Sequence, residues 1–233
     1  MAFRFQQFSV EDSNSTIKVG TDAMLLGALT DPGKVTRILD IGTGCGVLAL
    51  MMAQTSGAVI DAIEMDEKSV QEATENFDKS PWNTRLACFE ISLQLFEFLT
   101  DHRYDLIVSN PPFFKDSLEP STPQKRLAKH DGSLSLDELM KAVSTLLEKN
   151  GRFALIIPSN RWEETREVAA EHALYPLKCV RIFPYPGGDE TRVVAEFTPI
   201  KPAVIHESTL TILNDERKFS REYLDMTRDF HYF

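Results

Sequence analysis

Thr36-Arg37-Ile38-Leu39-Asp40-Ile41-Gly42-Thr43-Gly44-Cys45-Gly46 is the stretch that decides the fold. Its first six residues form a short apolar run that stops at glycines, the signature of a buried strand. The glycines allow a tight turn and let a ligand approach the backbone closely. Val47 to Gln54 follows as a buried helix. A strand, a glycine turn and a helix make the start of a βα unit. A Gly-x-Gly-x-Gly turn alone suits a plain connection and a cofactor loop equally well. The spacing is not the Gly-x-Gly-x-x-Gly of dinucleotide binders. It is not a P-loop either, because no Gly-Lys-Ser/Thr follows.

The same alternation runs outward from this unit. Strands are predicted at Ala58 to Ile63, Thr84 to Phe89, Tyr104 to Ser109 and Gly151 to Ile157. Helices are predicted at Glu67 to Lys79, Leu134 to Lys149 and Arg161 to His172. Leu177 to Phe183 and Thr191 to Phe197 read as a terminal pair of strands. Upstream, Met24 to Leu29 reads as an amphipathic helix, with Thr21 and Asp22 as cap residues. Repeated βα units imply a mainly parallel sheet covered by helices on both faces. Such sheets bind ligands at the carboxyl ends of their strands. The unusual residues fall there: after Ile41, after Ile63 and after Ser109.

Glu64 ends the second strand, where an acid can accept hydrogen bonds from both ribose hydroxyls of a nucleoside cofactor. Asp66 is its neighbour and rival. Asp40, beside the glycines, suits a cationic ligand. The third signal is Asn110-Pro111-Pro112-Phe113-Phe114. Its prolines lock φ and remove two donors, and Asn110 is pushed toward an extended conformation. A stiff loop results, with the Asn110 side-chain oxygen and the Pro111 carbonyl as free acceptors. Two such acceptors suit an exocyclic amine, whose lone pair is otherwise delocalised into its ring. Phe113 is placed to stack on a base.

The order Asp-x-Gly-x-Gly-x-Gly, then an acid, then Asn-Pro-Pro-Phe resembles the class I methyltransferases that modify amino groups. The resemblance implies a Rossmann-like, seven-stranded, mostly parallel sheet with helices on both faces. It implies S-adenosyl-L-methionine as cofactor, with Gly42, Gly44 and Gly46 facing its methionine part and Glu64 its ribose. Asn110, Pro111, Pro112 and Phe113 become the catalytic set. Asp40 and Met65, which flank these positions, join the cofactor set, and Asn110 counts in it as well. The family usually has an acid after the third strand; here the stretch is Phe89-Glu90-Ile91-Ser92. That leaves the position open between Glu90 and Ser92, and Ser92 is taken with the cofactor residues.

Two groups share the Asn-Pro-Pro-aromatic loop. Enzymes that methylate glutamine in protein release factors generally have Tyr after the prolines and a helical domain ahead of the glycines. Phe113 and the short segment before Asp40 favour a nucleobase. Phe3-x-Phe5-x-Gln7-Phe8, Lys18-Val19-Gly20-Thr21-Asp22-Ala23, Arg126-x-Ala128-Lys129-His130 and Phe230-His231-Tyr232-Phe233 carry a nearly full-length likeness. In combination they resemble bacterial tRNA1(Val) adenine-37 N6-methyltransferases. That implies N6-methylation of the adenine beside the anticodon of a valine tRNA. Adenine in ribosomal RNA or DNA, or glutamine in a protein, are the alternative substrates.

The 233 residues fit one domain, with an N-terminal segment 1–35 and a mobile loop 114–133. In that loop Lys115, Lys125, Arg126, Lys129 and His130 are expected to contact RNA. Arg217, Lys218, Arg221 and Arg228, with Tyr223, form a second basic candidate, for which helical surface charge is an equally good account. The net charge of -10 argues against phosphate binding overall, so basic residues must act locally. Cys45, Cys88 and Cys179 fit no metal-ligand spacing, and no metal is expected. No signal peptide or membrane span is read, so the expected setting is the cytoplasm.

Overall fold

A computed structural model describes residues 2–15, 18–111 and 134–231 of the chain. Its main sheet has eight strands, not seven. They are β3 (Arg37–Ile41), β4 (Val59–Glu64), β5 (Leu86–Glu90), β6 (Tyr104–Ser109), β7 (Leu147–Pro158), β8 (Tyr175–Phe183), β9 (Arg192–Thr198) and β10 (His206–Thr211). Across the sheet the order is β10-β8-β9-β7-β6-β3-β4-β5. β9 alone runs against its neighbours β7 and β8, and every other pairing is parallel. β8 and β9 are therefore not terminal: β10 adds an edge outside β8. Its sequence, His-Glu-Ser-Thr-Leu-Thr, is polar and mostly exposed, so no period-2 alternation betrays it. β1 (Phe3–Arg4) and β2 (Ser9–Val10) form a separate hairpin.

Seven helices accompany the strands among the described residues: α1 (Thr21–Leu29), α2 (Val47–Thr55), α3 (Glu67–Asp78), α4 (Leu93–Leu99), α5 (Leu136–Leu146), α6 (Trp162–Glu171) and α7 (Arg221–Thr227). None is long and apolar enough to cross a membrane. α1 is not amphipathic, because Ala23 to Gly27 are all buried. A Cβ on Gly27 would lie 2.4 Å from Met51 Sδ, so this glycine lets α1 lie close against α2. Nor do Thr21 and Asp22 cap it. Gly20 is the N-cap, without a side-chain bond, and the Asp22 carboxylate accepts from Arg192 Nε at 3.0 Å. α4 escaped prediction because Leu-Gln-Leu-Phe-Glu-Phe-Leu is short and apolar on both sides. α5 stops at Leu146, three residues before its expected end, and the chain passes directly into β7.

Side chains alternate along the central strands, as the period of a strand requires. Ile38, Leu106, Val108, Ala154 and Ile156 join the core under α1, α2 and α3. Leu39, Ile41, Ile107, Phe153 and Leu155 join the core on the other face, under α4, α5 and α6. Each fully buried Leu, Ile or Phe contributes about 1.5–3 kcal/mol. At the amino ends of the strands, Asp61 accepts from Tyr104 Oη at 2.8 Å and from Arg37 at 3.0 Å. That end is closed by structural bonds. The glycine turn and its polar groups lie at the carboxyl ends.

Candidate active site

The glycine turn is built on β3 and held from β4. Gly42 and Thr43 donate their N–H groups to the Ile63 carbonyl at 2.9 and 3.1 Å. Gly42, Gly44 and Gly46 all have positive φ, 71°, 55° and 85°, which L side chains adopt only at a cost. A Cβ on Gly42 would meet nothing within 4 Å, whereas one on Gly46 would lie 2.5 Å from Phe77 Cε1. Gly42 thus faces open space, and Gly46 allows α2 to start against α3.

Asp40 lies beneath the turn and is fully buried. Its Oδ2 accepts from Thr43 Oγ1 at 2.6 Å and from the Ala49 N–H at 3.1 Å. Its Oδ1 is buried with no partner among the described residues. Burial above all, with some repulsion from Glu64, pushes the carboxyl up to about 7 against the two hydrogen bonds. The negative charge is costly here until a cation comes near.

Glu64 reaches the same turn from the end of β4. Its Oε2 accepts from Gly44 N at 3.1 Å, and its Oε1 from Met65 N at 2.8 Å and Asp66 N at 3.1 Å. A carboxylate offers about four lone-pair sites, so one or more remain for a ligand. Asp66 is no rival. Its Oδ2 caps α3 through Ser69 N at 2.9 Å and Ser69 Oγ at 2.8 Å, which hold the carboxyl below its ordinary range. Met65 is half exposed. Ser92 caps α4 by accepting from Leu95 N at 3.3 Å, and its own hydroxyl hydrogen stays available. Glu90 is exposed at the end of β5, paired in register with Glu64.

Asn110 enters from β6. Ser109 pairs with Ile41 in the β3–β6 ladder, and buried Ser109 Oγ donates to the Ile41 carbonyl at 2.8 Å. The next residues, Asn110 and Gly42, therefore leave the ends of neighbouring strands. Asn110 is partly exposed and Pro111 buried. Pro112, Phe113, Lys115, Lys125, Arg126, Lys129 and His130 lie outside the described residues. The edge thus brings together Asp40, the three glycines, Glu64, Met65, Ser92, Asn110 and Pro111, from four adjacent strands.

Sequence reasoning passed over the groups that brace this edge. Buried Asn76 on α3 donates Nδ2 to the Cys45 carbonyl at 2.9 Å and to the Glu11 carbonyl at 2.8 Å. Its Oδ1 accepts from Glu11 N at 2.9 Å. One turn earlier, Glu72 accepts from Asn14 N and Ser15 N at 3.0 and 2.8 Å. Together they clamp the N-terminal segment against the glycine turn. The available signal was two polar residues on the helix face that also carries Ala73 and Phe77.

Comparison with known proteins identifies the family. The methyltransferase small domain family matches residues 12–166. A tRNA1(Val) (adenine(37)-N6)-methyltransferase of Bacteroides fragilis is 41% identical over 98% of this chain and 97% of its own length. This chain belongs to that methyltransferase family. A relative of the same description from Flavobacterium psychrophilum is 38% identical over 98% of each chain. Among solved structures, a predicted O-methyltransferase from Agrobacterium tumefaciens superposes with a TM-score of 0.70 at 18% identity, covering 90% of this chain and 96% of that one. That likeness concerns the Rossmann-like fold alone.

The methyl donor of this family is S-adenosyl-L-methionine. The residues at the edge suit it: an acid pinned at a strand end for a ribose, open space over Gly42, and a buried carboxylate oxygen short of positive charge. Two of the motifs that carry the family likeness also meet in space. Gln6 N donates to the Phe230 carbonyl at 3.1 Å and Gln6 Nε2 to the His231 carbonyl at 3.0 Å. Phe5 and Phe8 stack beside them with ring centroids 4.2 Å apart.

Proposed function

We propose that this protein transfers the methyl group of S-adenosyl-L-methionine to N6 of adenine 37, beside the anticodon of tRNA1(Val). The observation that carries the reading is the emergence of Asn110 and Gly42 from the ends of neighbouring strands in a chain 41% identical to an enzyme of that description. Gly42, Gly44, Gly46, Glu64, Met65, Ser92 and Asp40 form the cofactor side. Asn110, Pro111, Pro112 and Phe113 form the amine side. Work on tRNA gives the protein a cytoplasmic setting.

The bound cofactor supplies an electrophilic methyl carbon on a sulfonium. The Asn110 side-chain oxygen and the Pro111 carbonyl accept the two hydrogens of the adenine amine. These bonds favour a pyramidal nitrogen with its lone pair free, and they strengthen as positive charge develops on it. Phe113 stacks on the base and aligns nitrogen with the methyl carbon. Held by Asp40, the three glycines and Glu64, the cofactor would give up its methyl group to the amine nitrogen and keep the C–S bonding electrons as a neutral thioether. The amine proton then leaves to solvent, since the methylated, protonated nitrogen is acidic. No general base is needed before transfer. Adenine 37 lies in a single-stranded loop, so turning it into the site costs less than leaving a duplex. Lys115, Lys125, Arg126, Lys129 and His130 contact the neighbouring phosphates.

The test uses total tRNA from a strain lacking this gene, incubated with the protein and labelled cofactor. Mass spectrometry is expected to find label in N6-methyladenosine of one valine tRNA. Label only in DNA or ribosomal RNA would overturn the substrate. Asn110→Ala is expected to lower the transfer rate about a hundredfold or more while cofactor binding persists. Full activity in that variant would overturn the mechanism.

A further inference from the structure

The second basic cluster of the C-terminal part divides in two. Arg221 pairs with Asp225 at 3.6 Å, Arg228 with Asp229 at 3.6 Å and Lys218 with Glu216 at 2.8 Å. Tyr223 is buried and stacks on Phe219, its hydroxyl 3.1 Å from His231 Nε2. Each of these cations thus faces an acid close by in the chain, and Tyr223 serves the fold. Arg217 does not. Its guanidinium lies 3.9 Å from the centroid of the Tyr185 ring, and among the described residues no carboxylate is within ion-pair distance of it.

The pair is rigidly mounted. Asn214 Oδ1 accepts from Glu216 N and Lys218 N, both at 3.0 Å, and Arg217 N donates to the Asn214 carbonyl at 3.0 Å. This tight turn leaves Arg217 at φ 59°, a position in which glycine or asparagine is the usual residue. An arginine there costs local stability, and no contact of the core requires it. Tyr185 is fixed from the other strand. Leu213 N donates to the Pro184 carbonyl and Gly188 N to the Tyr185 carbonyl, both at 3.0 Å.

Location gives the pair its meaning. β8 and β10 run parallel to β6, so Tyr185 and the 212–220 turn stand at the sheet edge that carries Asn110. From β6 to β8 is three strand spacings, about 14 Å, and to β10 about 19 Å. Stacking occupies a face of the guanidinium and leaves its in-plane N–H donors for an acceptor with paired oxygens.

We propose that Arg217, held over Tyr185, binds a backbone phosphate of the RNA substrate at a nucleotide flanking the reacting base. Asp215 and Glu216 in the same turn disfavour non-specific polyanion adsorption, so the contact depends on the placement of one arginine and not on net charge. This inference rests on the tRNA reading above.

The test measures binding of valine tRNA to the full chain, with S-adenosylhomocysteine present, as a function of salt. Arg217→Gly suits the backbone at that φ, so its thermal midpoint and cofactor affinity are expected to equal or exceed those of the parent. Its tRNA affinity is expected to fall about tenfold, and the slope of log affinity against log salt to drop by about one. Tyr185→Phe is expected to bind as the parent does, and Tyr185→Ser to fall about threefold. Arg221→Ala and Arg228→Ala are expected to change little. Unchanged tRNA affinity and salt slope in Arg217→Gly would overturn this inference alone. Failure of the parent to bind tRNA would overturn the functional reading, and this inference with it.

Discussion

Replacing Asp40 with asparagine is expected to remove a pH dependence of stability that the parent carries. Burial raises the Asp40 carboxyl from 3.8 to about 7. Between those values the folded protein holds a proton that the unfolded chain has released. Stability is therefore fully present below 3.8 and is lost as pH rises through 7. At 1.36 kcal/mol per unit, the whole loss approaches about 4 kcal/mol. Between pH 5.5 and 8.5 the part still to be lost is about 2 kcal/mol. Asparagine offers one oxygen to accept from Thr43 and Ala49, as Asp40 Oδ2 does. Its amide takes the place of the unpartnered Oδ1 and carries no charge. Urea unfolding of both proteins at the two pH values isolates Asp40, because all other titrations cancel in the difference. The variant is expected to gain about 2 kcal/mol on the parent as pH rises, or about 1 M in urea midpoint. A gap that stays constant from pH 5.5 to 8.5 would show that Asp40 is ionised throughout, and the argument from burial would fail. The same variant, lacking the negative charge, is expected to bind S-adenosylmethionine more weakly at pH 8.5.

Four further expectations follow from the same edge. Gly46→Ala combines a left-handed φ with a 2.5 Å approach to Phe77, and is expected to cost about 2–4 kcal/mol in thermal or urea unfolding. Gly42→Ala meets open space, so its cost is about 1–2 kcal/mol and its main effect a loss of cofactor affinity, read by calorimetry. Glu64→Gln is expected to weaken cofactor binding about tenfold, since an amide is the weaker acceptor for ribose hydroxyls and its NH2 group cannot accept the backbone N–H bonds that both carboxylate oxygens now take; unchanged affinity would remove Glu64 from the site. Asn76→Ala breaks three hydrogen bonds to Glu11 and Cys45 and is expected to cost about 2–3 kcal/mol, with faster proteolysis of the N-terminal segment as the independent readout.

Much of the fold was legible in the chain because its central strands are short apolar runs that end at turn residues. Thr36 to Ile41, Ala58 to Ile63 and Tyr104 to Ser109 became β3, β4 and β6 within a residue. The elements that went unread lack contrast. β10 is polar on an exposed edge, and α4 shows apolar residues on both sides. α1 misled in the opposite sense: it is buried all round, so its pattern is no guide to a single face.

The sequence by itself determined the chemistry on offer: a glycine turn, an acid at the next strand end, and an asparagine stiffened by two prolines. Those are properties of residue types and short spacings, which act locally. Tertiary structure alone decided which of them meet. The β3–β6 register brings Asn110 and Gly42 to the ends of neighbouring strands, and Glu64, not Asp66, turns toward the glycines. Asn76 reaches Glu11 across 65 residues, and Arg217 finds Tyr185 while its basic neighbours find acids. Such pairings depend on where the sheet and the packed helices bring distant segments, and no local pattern encodes that distance.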